Sequence, residues 1–253
     1  MRNFYLLMIL VLIVAGSCKK SSNSDNLVVT PKIKSILYSD STGKVLMTEN
    51  MTYDAEGRVL SASLTFSANP SSSFVVHFEY FPAKIISKVY ESWSTPEYIS
   101  TYELNGAGLA TKCLEVRYDS LGHSTGDSTF YAWEYDPNNF MIRSSSFYSY
   151  DSTGLAVSTY QIDGGNVSWT VETTGGTTST TSYEYYPNTV NTIGNRNMGI
   201  VFEGTSSVNL VKAEHQGTYV KQYTYQYDSQ GRVSEQQMQY STGETYFSRY
   251  AYY

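Results

Sequence analysis

A tyrosine followed by aspartate, with glycine three residues after the aspartate, recurs along this chain and constrains its fold more than any other feature. The fullest copies are Tyr53-Asp54-Ala55-Glu56-Gly57-Arg58 and Tyr227-Asp228-Ser229-Gln230-Gly231-Arg232. Tyr118-Asp119 with Gly122 and Tyr150-Asp151 with Gly154 repeat the core of it. Tyr135-Asp136-Pro137-Asn138-Asn139 obeys the same logic by substitution, and Asp40 with Gly43, Asn105 with Gly108 and Asp163 with Asn166 are looser members. A type I turn favours Asp or Asn at its first position, Pro at its second and Gly at its fourth. A hairpin built on that turn needs a left-handed residue next, which Gly or Asn supplies at little cost. Asp54, Gly57, Asp119, Gly122, Asp136, Asn139, Asp151, Gly154, Asp228 and Gly231 are therefore read as structural turn residues, in preference to calcium ligands or catalytic groups.

The residues ahead of each turn keep a period of two. Met51 precedes Tyr53, Val116 precedes Tyr118, Trp133 precedes Tyr135 and Tyr225 precedes Tyr227 by two positions, so each pair shares one face of a strand. Phe78-x-Tyr80, Tyr183-x-Tyr185 and the series Tyr246, Tyr250, Tyr252 fit the same register. The composition agrees: 25 of 253 residues are tyrosine, and aromatic residues favour strands. No stretch of helical period follows residue 30. The chain is expected to be all-β, an antiparallel meander of hairpin repeats forming one large curled sheet, as an open barrel or a sandwich-like fold. Typical strand and loop lengths give roughly 14 to 18 strands. Whether each repeat holds one long strand or two short ones is open from sequence, although Ser241-Thr242-Gly243 favours two over Gly231 to Tyr253.

The first residues read as an address. Met1-Arg2-Asn3 is a short basic start, Phe4 to Val14 an apolar run too short to span a bilayer, and Ala15-Gly16-Ser17 a small-residue cleavage region. Ala15-Gly16-Ser17-Cys18 resembles the lipobox of bacterial lipoproteins, with Ala15 where Leu is usual. That resemblance implies a lipid on Cys18 and cleavage before it; ordinary signal cleavage at the same bond is the alternative. The expected organisation is a signal peptide over 1–17, a flexible polar tether over 18–30 and a single all-β domain over 31–253.

A formal charge of −6 and a pI near 5.1 argue against nucleic acid as a partner. Cys18 and Cys113 are the only cysteines. With Cys18 acylated, Cys113 has no partner and reads as a small buried hydrophobe. His77, His123 and His215 show no ligand spacing, and no phosphate-binding or dinucleotide motif is present, so no metal or cofactor is expected. Gly122-His123-Ser124-Thr125-Gly126 matches the nucleophile elbow of hydrolases, which needs a strand before it and a helix after it. Here Gly122 already serves a turn and residues 128–133 read as a strand, so a hydrolase centred on Ser124 is the weakest reading. Trp93, Trp133 and Trp169 could form a platform that stacks on sugars or peptides; packing into the core is the competing reading.

Tyr-Asp-x-x-Gly-Arg, at Tyr53–Arg58 and Tyr227–Arg232, resembles the tyrosine–aspartate repeats of RHS-type proteins. Together with the lipobox, the repeats over 34–253 resemble a group of uncharacterised Bacteroidota lipoproteins. The resemblance implies a fold and an address and no chemistry. The sequence thus points to a non-enzymatic lipoprotein of the cell envelope, held at the outer membrane through Cys18 and acting as an interaction or scaffold surface for an envelope protein. A glycan- or peptide-binding lipoprotein is the alternative.

Overall fold

In the computed structural model, which describes residues 30–91, 94–149 and 151–253, sixteen antiparallel strands run in chain order around a closed barrel. They are β1 (Ile33–Asp40), β2 (Val45–Tyr53), β3 (Val59–Phe66), β4 (Phe74–Phe81), β5 (Lys84–Tyr90), β6 (Tyr98–Leu104), β7 (Ala110–Tyr118), β8 (Ser124–Tyr135), β9 (Met141–Tyr148), β10 (Asp151–Asp163), β11 (Asn166–Thr174), β12 (Thr177–Val190), β13 (Asn209–Gln216), β14 (Tyr219–Tyr227), β15 (Val233–Tyr240) and β16 (Thr245–Tyr252). β1 closes the wall by pairing with β16, Ile36 opposite Tyr250, so among the described residues the sheet has no free edge. The expected curled meander is therefore a closed barrel, and neighbouring Asp-x-x-Gly turns bound single strands, as those at Asn105, Asp119 and Asp136 bound β7 and β8.

The Asp-x-x-Gly turns share one geometry. The side-chain Oδ1 of Asp40, Asn105, Asp119, Asp136 and Asp228 accepts the amides two and four residues on, at 2.8–3.1 Å. The fourth residue sits at positive φ: Gly57 at 75°, Gly122 at 82°, Gly231 at 75°, and Asn139 at 68° where Asn replaces Gly. The two copies with arginine go further. Arg58 and Arg232 each donate Nε to the aspartate Oδ2 at 2.6 Å, and each guanidinium lies over a ring of the next hairpin, Tyr80 at 4.4 Å and Tyr252 at 4.3 Å.

Two expected turns differ. Asp163 and Asn166 face each other across a two-residue Gly164-Gly165 turn, both glycines at positive φ, because a tight hairpin favours that left-handed pair. Asp151 and Gly154 belong to β10, whose register against β9 slips between Asp151 and Ala156.

The repeated tyrosine has a distinct task. At one end of the barrel the ladders between successive hairpins stop short: β1–β2 at Ser35/Asn50, β7–β8 at Lys112/Ala132, β15–β16 at Glu235/Arg249. A phenol then bridges the gap. Tyr53 donates to the Ile33 carbonyl at 2.6 Å, Tyr80 to Val59 at 2.8 Å, Tyr135 to Ala110 at 2.8 Å, Tyr185 to Val167 at 2.7 Å, Tyr225 to Val211 at 2.8 Å and Tyr252 to Val233 at 2.8 Å. These hydroxyls satisfy carbonyls that the splayed strands would otherwise leave without a partner. Between β5 and β6, where Leu104 stands at the corresponding place, the ladder continues to Lys84/Glu103 and the Leu104 amide itself reaches the Ala83 carbonyl at 2.9 Å.

A barrel of about 16 strands encloses more space than side chains lining its wall can fill. Here residues 191–208, the link between β12 and β13, occupy one end as a plug. It contains a single helical turn, α1 (Asn195–Met198), and a 3-10 turn over Val201–Glu203. Its ends meet where the Asn191 amide donates to the Val208 carbonyl at 3.0 Å. It is hydrogen-bonded all round the barrel end: Val59 N to Gly199 O at 3.2 Å, Thr205 N to Asn139 O at 2.7 Å, Val208 N to Gly165 O at 3.0 Å, and Val233 N to Thr192 Oγ1 at 3.0 Å. Ile200 and Phe202 from the plug join Val59, Ile85, Tyr102, Ala110 and Cys113 from the wall in the main core cluster.

Candidate functional site: the barrel lumen and its plug

The strand period sorts the wall into two faces. Tyr80, Tyr102, Trp133, Tyr183 and Tyr250 point inward, so Glu79, Glu103, Glu134, Glu184 and Arg249 point outward. Outward residues form cross-strand ion pairs around the circumference: Lys112–Glu103 at 3.8 Å, Arg143–Glu134 at 2.8 Å, Lys212–Glu184 at 2.8 Å and Arg249–Glu235 at 2.7 Å, with Lys88–Glu79 on β4 and β5. Outward hydroxyls pair likewise, Thr52 with Ser61 at 2.7 Å and Thr173 with Thr178 at 3.0 Å. A strand facing lipid shows an apolar outer band, and each Lys or Arg near mid-bilayer costs about 2–4 kcal/mol. This wall carries ion pairs on its outer face beside exposed aromatics, Phe81, Phe130, Phe147 and Trp169, and sets Tyr80, Tyr102, Trp133, Tyr183 and Tyr250 inside.

One outward row is apolar. Leu114, Phe130 and Phe147 stand opposite one another on β7, β8 and β9, and the two phenyl rings stack at 4.8 Å and 10°. All three are exposed, and the Lys112–Glu103 and Arg143–Glu134 pairs flank them.

The lumen is aromatic and acidic. Tyr102, Trp133 and Tyr131 lie nearly parallel along the inner wall, with centroids 6.1 and 5.9 Å apart, and Phe202 of the plug meets Tyr102 edge-on at 5.3 Å. Burial raises the Glu49 carboxyl to about 7, although Tyr38 donates to it at 3.2 Å. Burial likewise raises Glu115, which accepts from Ser100 at 3.2 Å, and raises Glu203 on the plug to about 7. Glu214 is held differently, by Lys221 at 3.0 Å and Tyr223 at 2.6 Å. Between the plug and β9–β11 lies a cavity of about 20 Å³, lined by Phe140, Ile162, Val167, Asn195, Glu203 and Ser206 among others, with room for roughly one water.

The residues singled out by sequence do not gather into one site. Trp133 points into the lumen and Trp169 stands outside the wall, 38 % exposed, so the two cannot share a platform. Trp93, Cys18 and the signal segment lie outside the described residues. Ser124 opens β8 and runs directly into strand, and its Oγ accepts the Gly126 amide at 3.2 Å. His215, the base the elbow would need, is on β13 and bound to Glu184 at 3.1 Å, with β9 to β12 between the two. Cys113 is buried and, among the described residues, has no disulfide partner. Sequence reasoning missed the plug and the lumenal carboxylates. The period-two pattern marked the strands that carry Glu49, Glu115 and Glu214, but nothing in it told inside from outside for an acidic residue.

No protein-family model matches the chain, and no curated protein matches it. Among solved structures, a porin-like protein from Bacteroides uniformis superposes with a TM-score of 0.62 at 13 % identity, over 87 % of this chain and 98 % of that one. A porin-like protein from Bacteroides vulgatus gives 0.55 at 12 % identity, over 88 % and 99 %. At that identity the likeness is one of fold. A toxin chain, TcdB2-TccC3, overlaps at a TM-score of 0.33 and 14 % identity over 80 % of this chain and 14 % of that one.

Proposed function

We propose that this chain is a non-enzymatic protein of the cell envelope, exported, anchored through a lipid on Cys18, and acting as an interaction or scaffold surface. The observation that carries the reading is the wall's outer face, where cross-strand ion pairs flank an exposed apolar row at Leu114, Phe130 and Phe147. Apolar patches rimmed by polar residues mark contact surfaces on soluble proteins. Both porin-like neighbours are compatible with an envelope address. The name porin-like would, if carried over, put strands in lipid, and the outward ion pairs argue for a barrel beside the membrane instead.

Crosslinking in intact cells tests the surface. Wild type is expected to capture a reproducible envelope protein, and a Phe130→Ser, Phe147→Ser variant with unchanged folding to lose it; no reproducible capture by wild type refutes the reading. The same purified protein, weighed intact, should start at Cys18 with added acyl mass, and a bare N-terminus removes the anchor.

A second reading, saccharide binding, has its own observation. Beyond Ala213/Gln222 the β13–β14 ladder stops, and Tyr186, Thr189, Thr224, Tyr225 and Tyr227 line a groove in the opening. Tyr186 and Tyr225 are fixed edge to face at 6.0 Å, with their phenols committed to backbone carbonyls, while Tyr227 is exposed. Rigid ring faces beside hydroxyls suit a sugar ring. A glycan array is the check: binding that Tyr227→Ala abolishes supports this reading, and no binding eliminates it.

A further inference from the structure

We propose that Glu203 is a proton-operated latch, holding the plug in the barrel end while its carboxyl is protonated and loosening it when the carboxyl ionises. The plug is built to move as a unit. Its neck is closed by the Asn191–Val208 bond, so residues 192–207 can leave their seat without unravelling β12 or β13. Compact loops whose ends lie close together are packed by their own side chains and are frequently functional.

Glu203 is half-buried at the plug's contact with the wall, and that burial raises the cost of ionising it. It follows Phe202, which is buried against Tyr102 and Phe78, and it lines the small cavity beside Asn195. Asn195 is buried with Nδ2 donating to the Gly204 carbonyl at 3.3 Å, which leaves its Oδ1 as an acceptor without a partner. A protonated Glu203 brings a donor to that cavity. An ionised one brings only acceptors to a space that already holds an unmet acceptor, and buried unpaired polar groups are costly.

The titratable groups facing Glu203 offer its charge no compensation. They are Tyr80 on β4, Tyr102 on β6, Cys113 on β7 and Tyr135 on β8, and burial holds all four in their neutral forms. The remaining neighbours across the cavity are the apolar Phe140, Met141, Ile162 and Val167, with the hydroxyls of Thr205 and Ser206 from the plug itself. Among the described residues no cation's charge acts on Glu203.

The sign follows from linkage. The seated carboxyl titrates near 7 and a released one near its ordinary 4.5, so seating is strongest below pH 4.5. It weakens as pH rises from there to about 7, and is level above. Within that window the opening equilibrium should rise about tenfold per pH unit.

Hydrogen exchange on the full chain tests the latch, read as protection factors so that the intrinsic pH dependence of exchange is removed. Amides of the plug in wild type should lose protection by on the order of a hundredfold between pH 4.5 and 7.5, while those of β14 and β15 do not. Glu203→Gln, which keeps size and shape, should give a flat profile, and Glu49→Gln, which removes the other carboxyl that titrates near 7, should keep the wild-type one. Emission from Trp133, which stacks on Tyr102 beside Phe202, gives an independent readout. A flat wild-type profile overturns the proposal, as does an unchanged fall in Glu203→Gln.

Discussion

Phe202→Ala is expected to lower the stability of the barrel by about 3–5 kcal/mol, the usual cost of deleting a large aromatic side chain from a core. Phe202 is 3 % exposed and carries the plug into the main core cluster of the wall. Its ring meets Tyr102 edge-on at 5.3 Å and Phe78 at 6.2 Å, and through Tyr102 it backs the stack on Trp133. The site can collapse only partly. Tyr102, Phe78 and Trp133 each belong to a different strand of a closed wall, and a closed wall cannot draw in on one side without breaking ladders on another. The loss should therefore sit near the upper part of that range. Chemical denaturation with tryptophan and tyrosine emission is the measurement. A loss below about 1 kcal/mol would mean that the plug adds little to the core, since surface-like substitutions stay within about half of that.

The wall was legible in the sequence because its determinants are local. Asp at the first turn position, Gly or Asn at the fourth, and large residues two apart before the turn are each set by a handful of neighbours, and the hairpins follow. Both failures among the turns have local causes as well. Gly164-Gly165 makes a tighter turn than the flanking Asp163 and Asn166 suggest, and Asp151 was drawn into β10 although it sits in the motif.

What could not be read is what depends on closure. Pairing of β1 with β16 joins residues more than two hundred positions apart, and no turn signal encodes it. The plug was hidden for the same reason. Residues 191–208 carry neither helical period nor strand alternation, and they fold only because a barrel end of matching size surrounds them. The tyrosines show the boundary well. Their alternation placed Tyr53, Tyr135 and Tyr252 on one strand face, but their use as donors to the carbonyls of splayed neighbours is a property of the closed barrel. The candidate site fared worst, since Trp133 and Trp169 fall on opposite sides of a wall whose sides the sequence alone does not label.

Gly204→Ala should unseat the plug without changing any residue of a strand. Gly204 holds φ at +94°, and a Cβ there would stand 2.6 Å from the Tyr135 ring and 2.8 Å from the Asn139 carbonyl oxygen. Tyr135 cannot swing away cheaply, because its hydroxyl is bonded to the Ala110 carbonyl at 2.8 Å. Asn139 is fixed too, its own φ being +68° and its carbonyl already accepting from Thr205. Backbone strain and clash together should cost roughly 2–6 kcal/mol, which the chain can avoid only by lifting residues 200–206 out of the barrel end. Gly231→Ala is the matched control. It also sits at positive φ, +75°, but nothing lies within 4 Å of its added Cβ, so only the strain of about 1–2 kcal/mol remains. Exchange protection of the plug amides should collapse in Gly204→Ala and survive in Gly231→Ala, whereas equal behaviour of the two variants would mean that the plug's seat yields easily, and that its fit to the wall does not decide whether the barrel end is closed.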